Sequence, residues 1–220
     1  MFQPKFETLE DRSVPATGVY FDMAGVLVIE GTNGIDAISV NAYNAAAVTV
    51  RLNGVNYGPF DTTGTHIKIL GLDGADVMNL SGYVPMEVHG GAGNDSIFGG
   101  SGDDIIYGDE GNDYITAGIG NDVIIGGLGK DTVQGGNGLD IVTGNDVDKM
   151  VYDYATLRLT MNDWVADPNS AMVTALYFAQ VDDLQNDSLT GGLGRDAFLT
   201  IPGDVITDFK VMEGDKKVFP

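Results

Sequence analysis

The sequence predicts an all-β solenoid that ends in a small helix-containing C-terminal cap. Three observations lead to this prediction. Blocks of nine residues repeat without a gap from position 90 to 143, glycine supplies 32 of the 220 residues, and 26 of the 32 acidic residues are aspartate. A short repeat of this kind is one structural unit that becomes stable only when copies stack on each other.

Six blocks keep one register, with Gly at position four, Asp at position six and Ile or Val at position eight. They begin at Gly90, Gly99, Gly108, Ala117, Gly126 and Gly135. The glycines permit the positive φ that a tight turn requires. The last three residues of each block form a short strand with one inward aliphatic side chain. Stacking should therefore bury a continuous column of these side chains.

Short acidic side chains on tight turns indicate a hard cation with oxygen ligands, such as Ca²⁺. Stacked carboxylates without cations would repel one another along each edge of the solenoid. The candidate ligands are the position-six residues Asp95, Asp104, Asp113, Asp122, Asp131 and Asp140.

The pattern GGxGxDxUx in these blocks resembles the RTX, or hemolysin-type, calcium-binding nonapeptide repeat. The resemblance implies a right-handed parallel β-roll with two repeats per coil and about four Ca²⁺ ions between stacked turns. It also implies that backbone carbonyls join the six aspartates as ligands. The expected carbonyls are those of Gly91, Gly93, Gly100, Gly102, Gly111, Gly118, Gly120, Gly127, Gly129, Gly136 and Gly138.

We expect four segments along the chain. Residues 1–18 form a disordered N-terminal segment, 19–89 degenerate solenoid coils, 90–152 the nonapeptide roll, and 153–220 a C-terminal cap with a helix and a last repeat. The cap order resembles that of RTX proteins, and it would cover the open end of the solenoid.

Two sites in the degenerate coils keep the spacing GxxGxDxU, with Asp36 and Asp76 at the acidic position. We expect these two aspartates to cap turns rather than to bind metal. Between them, Asn53-Gly54 predicts a tight hairpin.

Residues 144–152 are interpreted as a failing seventh repeat, since Lys149 stands at the Asp position, and we expect this break to end the ladder of Ca²⁺ sites. A helix over 153–165 follows, with Leu157, Met161 and Trp164 on one side. The stretch 170–181 fits either a helix or a strand.

Five apolar side chains are expected to point out of the roll on one face, and such an apolar patch is usually covered by another part of the protein or by a partner. They are Ile105, Tyr107, Val123, Ile125 and Ile141. The predicted helix could fold back over this apolar group, or the group could form an intermolecular interface. We favour the helix.

The composition excludes several functions. A net charge of −21 argues against binding nucleic acid or an anionic membrane surface. The chain has no apolar run long enough to span a membrane. It also lacks HExxH and GxSxG, and we expect no enzymatic activity. His66 and His89 are interpreted as ordinary surface residues.

The N-terminal stretch Leu9-Glu-Asp-Arg12-Ser-Val-Pro15-Ala resembles the LEDRxxPA segment of planctomycete surface proteins, which implies an extracellular or cell-surface bacterial protein. The function that we expect is Ca²⁺-driven folding of a structural or adhesive surface or matrix component. An accessory module of a secreted carbohydrate-active enzyme system is the alternative. The sequence leaves open a protein or a polysaccharide partner, as well as the oligomeric state.

Overall fold

The computed structural model describes residues 18–147, 153–166, 180–181, 185–194, 196–200, 204–208 and 215–218. The strands are β1 (Gly18–Phe21), β2 (Leu27–Glu30), β3 (Ala37–Ala42), β4 (Val48–Leu52), β5 (Val55–Phe60), β6 (Ile67–Leu70), β7 (Val77–Gly82), β8 (Met86–Ala92), β9 (Ser96–Gly100), β10 (Ile105–Glu110), β11 (Tyr114–Ile119), β12 (Val123–Leu128), β13 (Thr132–Gly138), β14 (Ile141–Val147), β15 (Gln180–Val181), β16 (Ser188–Gly194), β17 (Ala197–Leu199), β18 (Val205–Ile206) and β19 (Lys216–Val218). The helices are α1 (Tyr154–Ala166) and a 3₁₀ turn at Ala45–Ala47.

The strands form two sheets between which the chain alternates. The first sheet has the order β1-β2-β6-β8-β10-β12-β14-β17-β19, and the second β18-β16-β13-β11-β9-β7-β3-β4-β5. From β2 to β19 in the first sheet, and from β18 to β3 in the second, neighbouring strands are parallel. The predicted all-β parallel roll is therefore confirmed.

The core between the sheets is the column of aliphatic side chains that the repeat predicts. The position-eight residues are completely buried: Ile97, Ile106, Ile115, Ile124, Val133 and Val142. Met78 and Leu189 extend this column on either side of the repeats, in register with Ile97 and Val133. The coils before position 90 therefore belong to the same roll. The hairpin at Asn53-Gly54 joins β4 to β5 as predicted.

Helix α1 lies over the outer face of the first sheet. Leu157, Met161 and Trp164 are buried there in one cluster with the predicted apolar group. The members of that group are at most 2% exposed: Ile105, Tyr107, Val123, Ile125 and Ile141. The cover is thus intramolecular, and the helix over 153–165 is confirmed. Asp153 caps it by accepting the backbone N–H of Thr156 at 2.9 Å.

After α1 the chain returns to the roll. Strand β16 pairs in parallel with β13, and β17 pairs in parallel with β14. The last repeat predicted at Gly191–Phe198 therefore occupies the next coil. The N-terminal motif at 9–16, Lys149, and 170–179 of the stretch with the uncertain assignment all lie outside the described residues. Within the described part of the chain, no helix has the length and apolarity needed to cross a membrane.

Candidate metal centre

The aspartates of the repeat form a ladder along each edge of the roll, where the turns stack. Each position-six carboxylate accepts, through Oδ1, the backbone N–H of the equivalent residue one coil earlier. On one edge the donor–acceptor pairs are Asp36–Asp76 (2.7 Å), Asp76–Asp95 (2.7 Å), Asp95–Asp113 (2.8 Å), Asp113–Asp131 (2.9 Å) and Asp131–Asp187 (2.8 Å). On the other they are Met86–Asp104 (2.9 Å), Asp104–Asp122 (2.8 Å), Asp122–Asp140 (2.9 Å) and Asp140–Asp196 (3.0 Å).

The hydrogen-bond ladder of aspartates does not end at the break over 144–152. It continues on both edges with Asp187 and Asp196, because β16 and β17 take the next places in the two sheets. A signal for Asp187 is present in the sequence. Asn186-Asp187 precedes Arg195-Asp196 by nine residues, the spacing of the repeat, although no glycine marks the turn before it.

The two early aspartates differ from each other. Asp36 caps its turn as predicted, since its carboxylate accepts the backbone N–H of Thr32 at 2.6 Å and also binds the Asn53 amide. Asp76 is as buried as Asp36, but its Oδ1 accepts the backbone N–H of Asp36 and so stands in the ladder like that of a repeat aspartate.

The second carboxylate oxygen of the ladder residues identifies the candidate site. Within the described part of the chain, the buried Oδ2 atom has no hydrogen-bond partner in Asp76, Asp95, Asp104, Asp113, Asp122 and Asp140. Buried polar atoms in folded proteins are ordinarily satisfied. A row of charged oxygens that are not satisfied by the protein fits a bound cation.

Backbone carbonyls of the following coil lie beside these oxygens. A β-carbon placed on Gly90 would lie 2.5 Å from Asp95 Oδ2 and would also collide with the carbonyl oxygen of Gly108. Gly108 stands in the same relation to Asp113 Oδ2 and the carbonyl of Gly126. Glycine at position one therefore keeps open a space that a carboxylate and a carbonyl both border.

The carbonyls predicted as ligands, at positions two and four, have different surroundings. The carbonyl of Gly93 faces Gly111, the equivalent glycine of the next coil, and the carbonyl of Gly102 faces Gly120 in the same way. The position-one carbonyls beside Oδ2 were not among the predicted ligands, since the sequence marks the absence of a side chain there but not the direction of a carbonyl.

The donor set suits a hard cation. Carboxylate and carbonyl oxygens are the ligands that Ca²⁺ prefers. No three His, Asp or Glu side chains of the described residues converge to hold an ion. A cation on these edges would consequently take one or two carboxylates and complete its shell with backbone carbonyls.

The ladder carboxylates are costly to ionise in the absence of a cation. Burial raises the pKa of Asp113 to about 8, with the neighbouring carboxylates of Asp131 and Asp95 adding to the effect. Burial likewise raises the pKa of Asp122 to about 7 and that of Asp76 to about 6. The pKa values of Asp104 and Asp140 are raised well above the usual range, first by burial and then by the charge of Asp122.

The positively charged side chain of Arg158 contacts a turn on one edge of the roll. Arg158 of α1 donates through Nη1 to the carbonyl oxygen of Asp103 at 2.9 Å, and its Nη2 lies 3.4 Å from Oδ2 of the same residue. Its charge acts to lower the pKa of Asp104 and Asp122, but burial outweighs it at both. The helix thus contacts a turn of the repeat as well as the apolar face.

The interpretation of both histidines as ordinary surface residues is wrong. They converge on Glu87, which is only 7% exposed: His66 Nε2 lies 3.4 Å from Oε2, and His89 Nε2 lies 3.1 Å from Oε1. Lys68 Nζ lies 2.8 Å from Oε1. The His66 ring stacks on Tyr154 of α1 at 3.9 Å, so this cluster borders the docked helix.

The contacts within this cluster change the pKa values of Glu87 and His89. Burial alone would raise the pKa of Glu87, but hydrogen bonds from His66, His89 and Lys68 hold it well below its usual range. Burial alone would lower the pKa of His89, but hydrogen bonds with Asp109 and Glu87 raise it. The group therefore forms a half-buried polar network around Glu87, and His89 extends it from β8 to Asp109 on β10.

Part of the chain matches a known family model. The model for the RTX calcium-binding nonapeptide repeat (4 copies) matches residues 87–115 and 116–148. No curated protein and no solved structure matches the chain. The matched residues include all six repeat aspartates, on both edges of the roll. The match supports a Ca²⁺-binding structural repeat in this part of the chain.

Proposed function

We propose that this chain is a structural or adhesive module of a bacterial cell surface or extracellular matrix whose folding is driven by Ca²⁺. The observation that carries the proposal is the buried Oδ2 atom of Asp76, Asp95, Asp104, Asp113, Asp122 and Asp140, which has no hydrogen-bond partner among the described residues. The family match to calcium-binding repeats supports the choice of cation.

The ligands that we propose are the repeat aspartates, completed by backbone carbonyls of the turns. They are Asp95, Asp104, Asp113, Asp122, Asp131 and Asp140, with Asp187 and Asp196 extending the two ladders. The six repeats would hold about four ions, since three stacked turns on an edge leave two gaps. Four divalent ions, with eight positive charges, would bring the net charge from −21 to about −13.

Coupling of folding to Ca²⁺ follows from the cost of burying these carboxylates. The ladder exists only when the coils stack, so a cation that binds between coils stabilises the folded state selectively. Extracellular calcium modules bind at roughly 10⁻⁴–10⁻³ M. A chain with such affinity would remain loosely folded at low Ca²⁺ inside a cell and would fold outside, which agrees with the surface location that we infer from the N-terminal motif.

The test is a Ca²⁺ titration of the chelated chain followed by far-UV circular dichroism, with Mg²⁺ as the control ion. We expect a cooperative gain of β signal with Ca²⁺ and a much smaller response to Mg²⁺, which needs octahedral geometry and retains its waters. A chain that is fully folded in chelator and does not respond to Ca²⁺ would contradict the proposal.

A further inference from the structure

The outer face of the second sheet, unlike that of the first, has no helix over it among the described residues. A row of side chains crosses eight adjacent strands of this face, from β5 to β16, at one register position on each strand. Its members are Asn56, Arg51, Ser39, Asn79, Phe98, Thr116, Gln134 and Thr190. Each is exposed or half-buried. Strand spacing of about 4.8 Å makes the row roughly 34 Å long.

The chemistry of this row differs from that of the rest of the molecule. No member is acidic, although the chain carries 32 acidic residues. Amide and hydroxyl side chains supply both hydrogen-bond donors and acceptors. Phe98 is 38% exposed, and Tyr114 on the next strand is 46% exposed, with their ring centroids 6.0 Å apart. Exposed aromatic rings on a flat face are typical of a binding surface.

At its β5 end the row lies in a groove that is lined by residues of β3, β4, β5 and β7. The groove has a volume of about 550 Å³, and its lining includes Asn41, Thr49, Arg51, Asn56 and Tyr57. Polar groups placed beside an aromatic ring can fix the orientation of a bound ligand.

Arg51 is the single charged residue in the groove lining. It is exposed, and no carboxylate among the described residues forms an ion pair with it. Its five N–H donors are therefore available in a chain where acidic residues outnumber basic ones by almost three to one.

We propose that this row and groove bind a linear, neutral polysaccharide. The hydroxyls of a sugar need donors and acceptors together, and the apolar face of a pyranose ring packs on an aromatic side chain. A nucleic acid or an acidic polysaccharide would be repelled by a net charge of −21. A length of roughly 34 Å suits an extended polymer better than a single sugar. The inference names the partner of the surface or matrix role proposed above and rests on that role for its biological setting.

The experiment uses the full chain in saturating Ca²⁺. Affinity electrophoresis is run in gels that contain mixed-linkage β-glucan, galactomannan, dextran or, as the acidic comparison, polygalacturonate. We expect at least one neutral polysaccharide to retard the protein and polygalacturonate not to retard it. Isothermal titration with that polysaccharide then gives the affinity of the variants.

Phe98→Ala and Asn79→Ala should each weaken binding roughly tenfold, which corresponds to one well-placed contact. The matched controls are Leu159→Ala and Asn162→Ala, which change the same kinds of residue at exposed positions on α1 and should bind like the unmodified chain. Circular dichroism of every sample confirms that the variants are folded.

Three results would overturn the inference: no retardation by any neutral polysaccharide, binding that Phe98→Ala leaves unchanged, or a dimer that Phe98→Ala abolishes in a protein that binds no polysaccharide. Its failure can be told apart from failure of the proposed function. If the protein folds with Ca²⁺ but binds no polysaccharide, only the polysaccharide inference is contradicted. If it binds a polysaccharide but its folding does not respond to Ca²⁺, only the calcium proposal is contradicted.

Discussion

The backbone N–H of Asp95 donates to Oδ1 of Asp113 at 2.8 Å, across the 18-residue step from one coil to the next. The same carboxylate keeps its Oδ2 buried and without a hydrogen bond to any described residue. One side chain therefore serves two purposes: Oδ1 fixes the stacking of the backbone, and Oδ2 presents charge to the space between the turns. An asparagine could serve the first purpose but not the second.

Asp113→Asn should separate the two purposes. The variant keeps an oxygen that accepts the Asp95 N–H, and it removes a carboxyl group whose ionisation is opposed by burial. In chelator we expect the variant to be more stable than the unmodified chain, by on the order of 1 kcal/mol or more. In the Ca²⁺ titration we expect the Ca²⁺ concentration at the midpoint of folding to rise several-fold, because the variant has lost a ligand. Both are measured by urea unfolding and by Ca²⁺ titration.

The matched control for this substitution is Asp61→Asn, which changes the net charge equally at an exposed position outside the ladder. It should leave the Ca²⁺ midpoint unchanged. Equal shifts in the two variants would mean that net charge, rather than the ladder, governs the response.

Stability without metal should depend on pH in the direction opposite to ordinary acid denaturation. The pKa values of Asp76, Asp122 and Asp113 are about 6, 7 and 8 in the folded chain, against 3.8 for an unperturbed aspartate. The folded state therefore binds more protons than the unfolded state between about pH 4 and 8. The free energy of unfolding should fall as pH rises through this window, and the raised pKa of His89 acts in the same direction.

Urea unfolding in chelator at pH 5, 6, 7 and 8 measures this dependence. Calcium should reverse it, because protons and Ca²⁺ compete for the same oxygens. The Ca²⁺ midpoint is expected to be roughly tenfold or more lower at pH 8 than at pH 5.5. Stability in chelator that increases steadily with pH would show that the ladder aspartates ionise without difficulty.

Gly111→Ala tests the close approach of neighbouring coils. Gly111 has φ of +136°, and a β-carbon there would overlap the carbonyl group of Gly93. Positive φ and overlap together should cost more than about 3 kcal/mol, even in saturating Ca²⁺. Gly25→Ala is the control, since Gly25 also has positive φ (+82°) but open space around it, and should cost about 1 kcal/mol. Similar losses in the two variants would contradict the role of coil spacing.

Trp164→Ala tests the docking of helix α1. Trp164 is completely buried against the first sheet, and its truncation should lower the free energy of unfolding by about 3–5 kcal/mol. Exposure of Ile105, Val123 and Ile141 should also promote association, seen by size-exclusion chromatography. Leu159→Ala, at a position that is 59% exposed on the same helix, should change stability by less than about 0.5 kcal/mol. If both variants unfold at the same urea concentration, α1 does not stabilise the roll.

The ladder and the core column could be predicted from the sequence because each depends on a local, repeated pattern. Asp113 and Ile115 recur in equivalent form every nine residues, and two repeats complete one coil. The neighbour of each coil is therefore nearly a copy of itself, so that one block predicts the environment of the next. The packing of α1 on the outward apolar side chains could also be predicted, since the sequence that follows the repeats has the pattern of an amphipathic helix.

The parts that could not be predicted depend on contacts between segments far apart in the chain. The backbone N–H of Asp131 donates to Asp187 across 56 residues, and the nine-residue spacing of Asp187 from Asp196 marks a repeat without showing which strand it will pair with. Glu87 contacts His66, Lys68 and His89 together only because β6 and β8 lie side by side.

The nine-residue period was enough to predict the coil, its buried column and the edge on which Asp113 lies, because the period dictates which side chains stack. The carbonyl beside Asp113 Oδ2, the strand that follows β14 and the exposure of the row through Phe98 became known only from the folded arrangement of the chain. These depend on the path of the chain outside the repeat, where loop closure over tens of residues leaves many arrangements open and packing selects one.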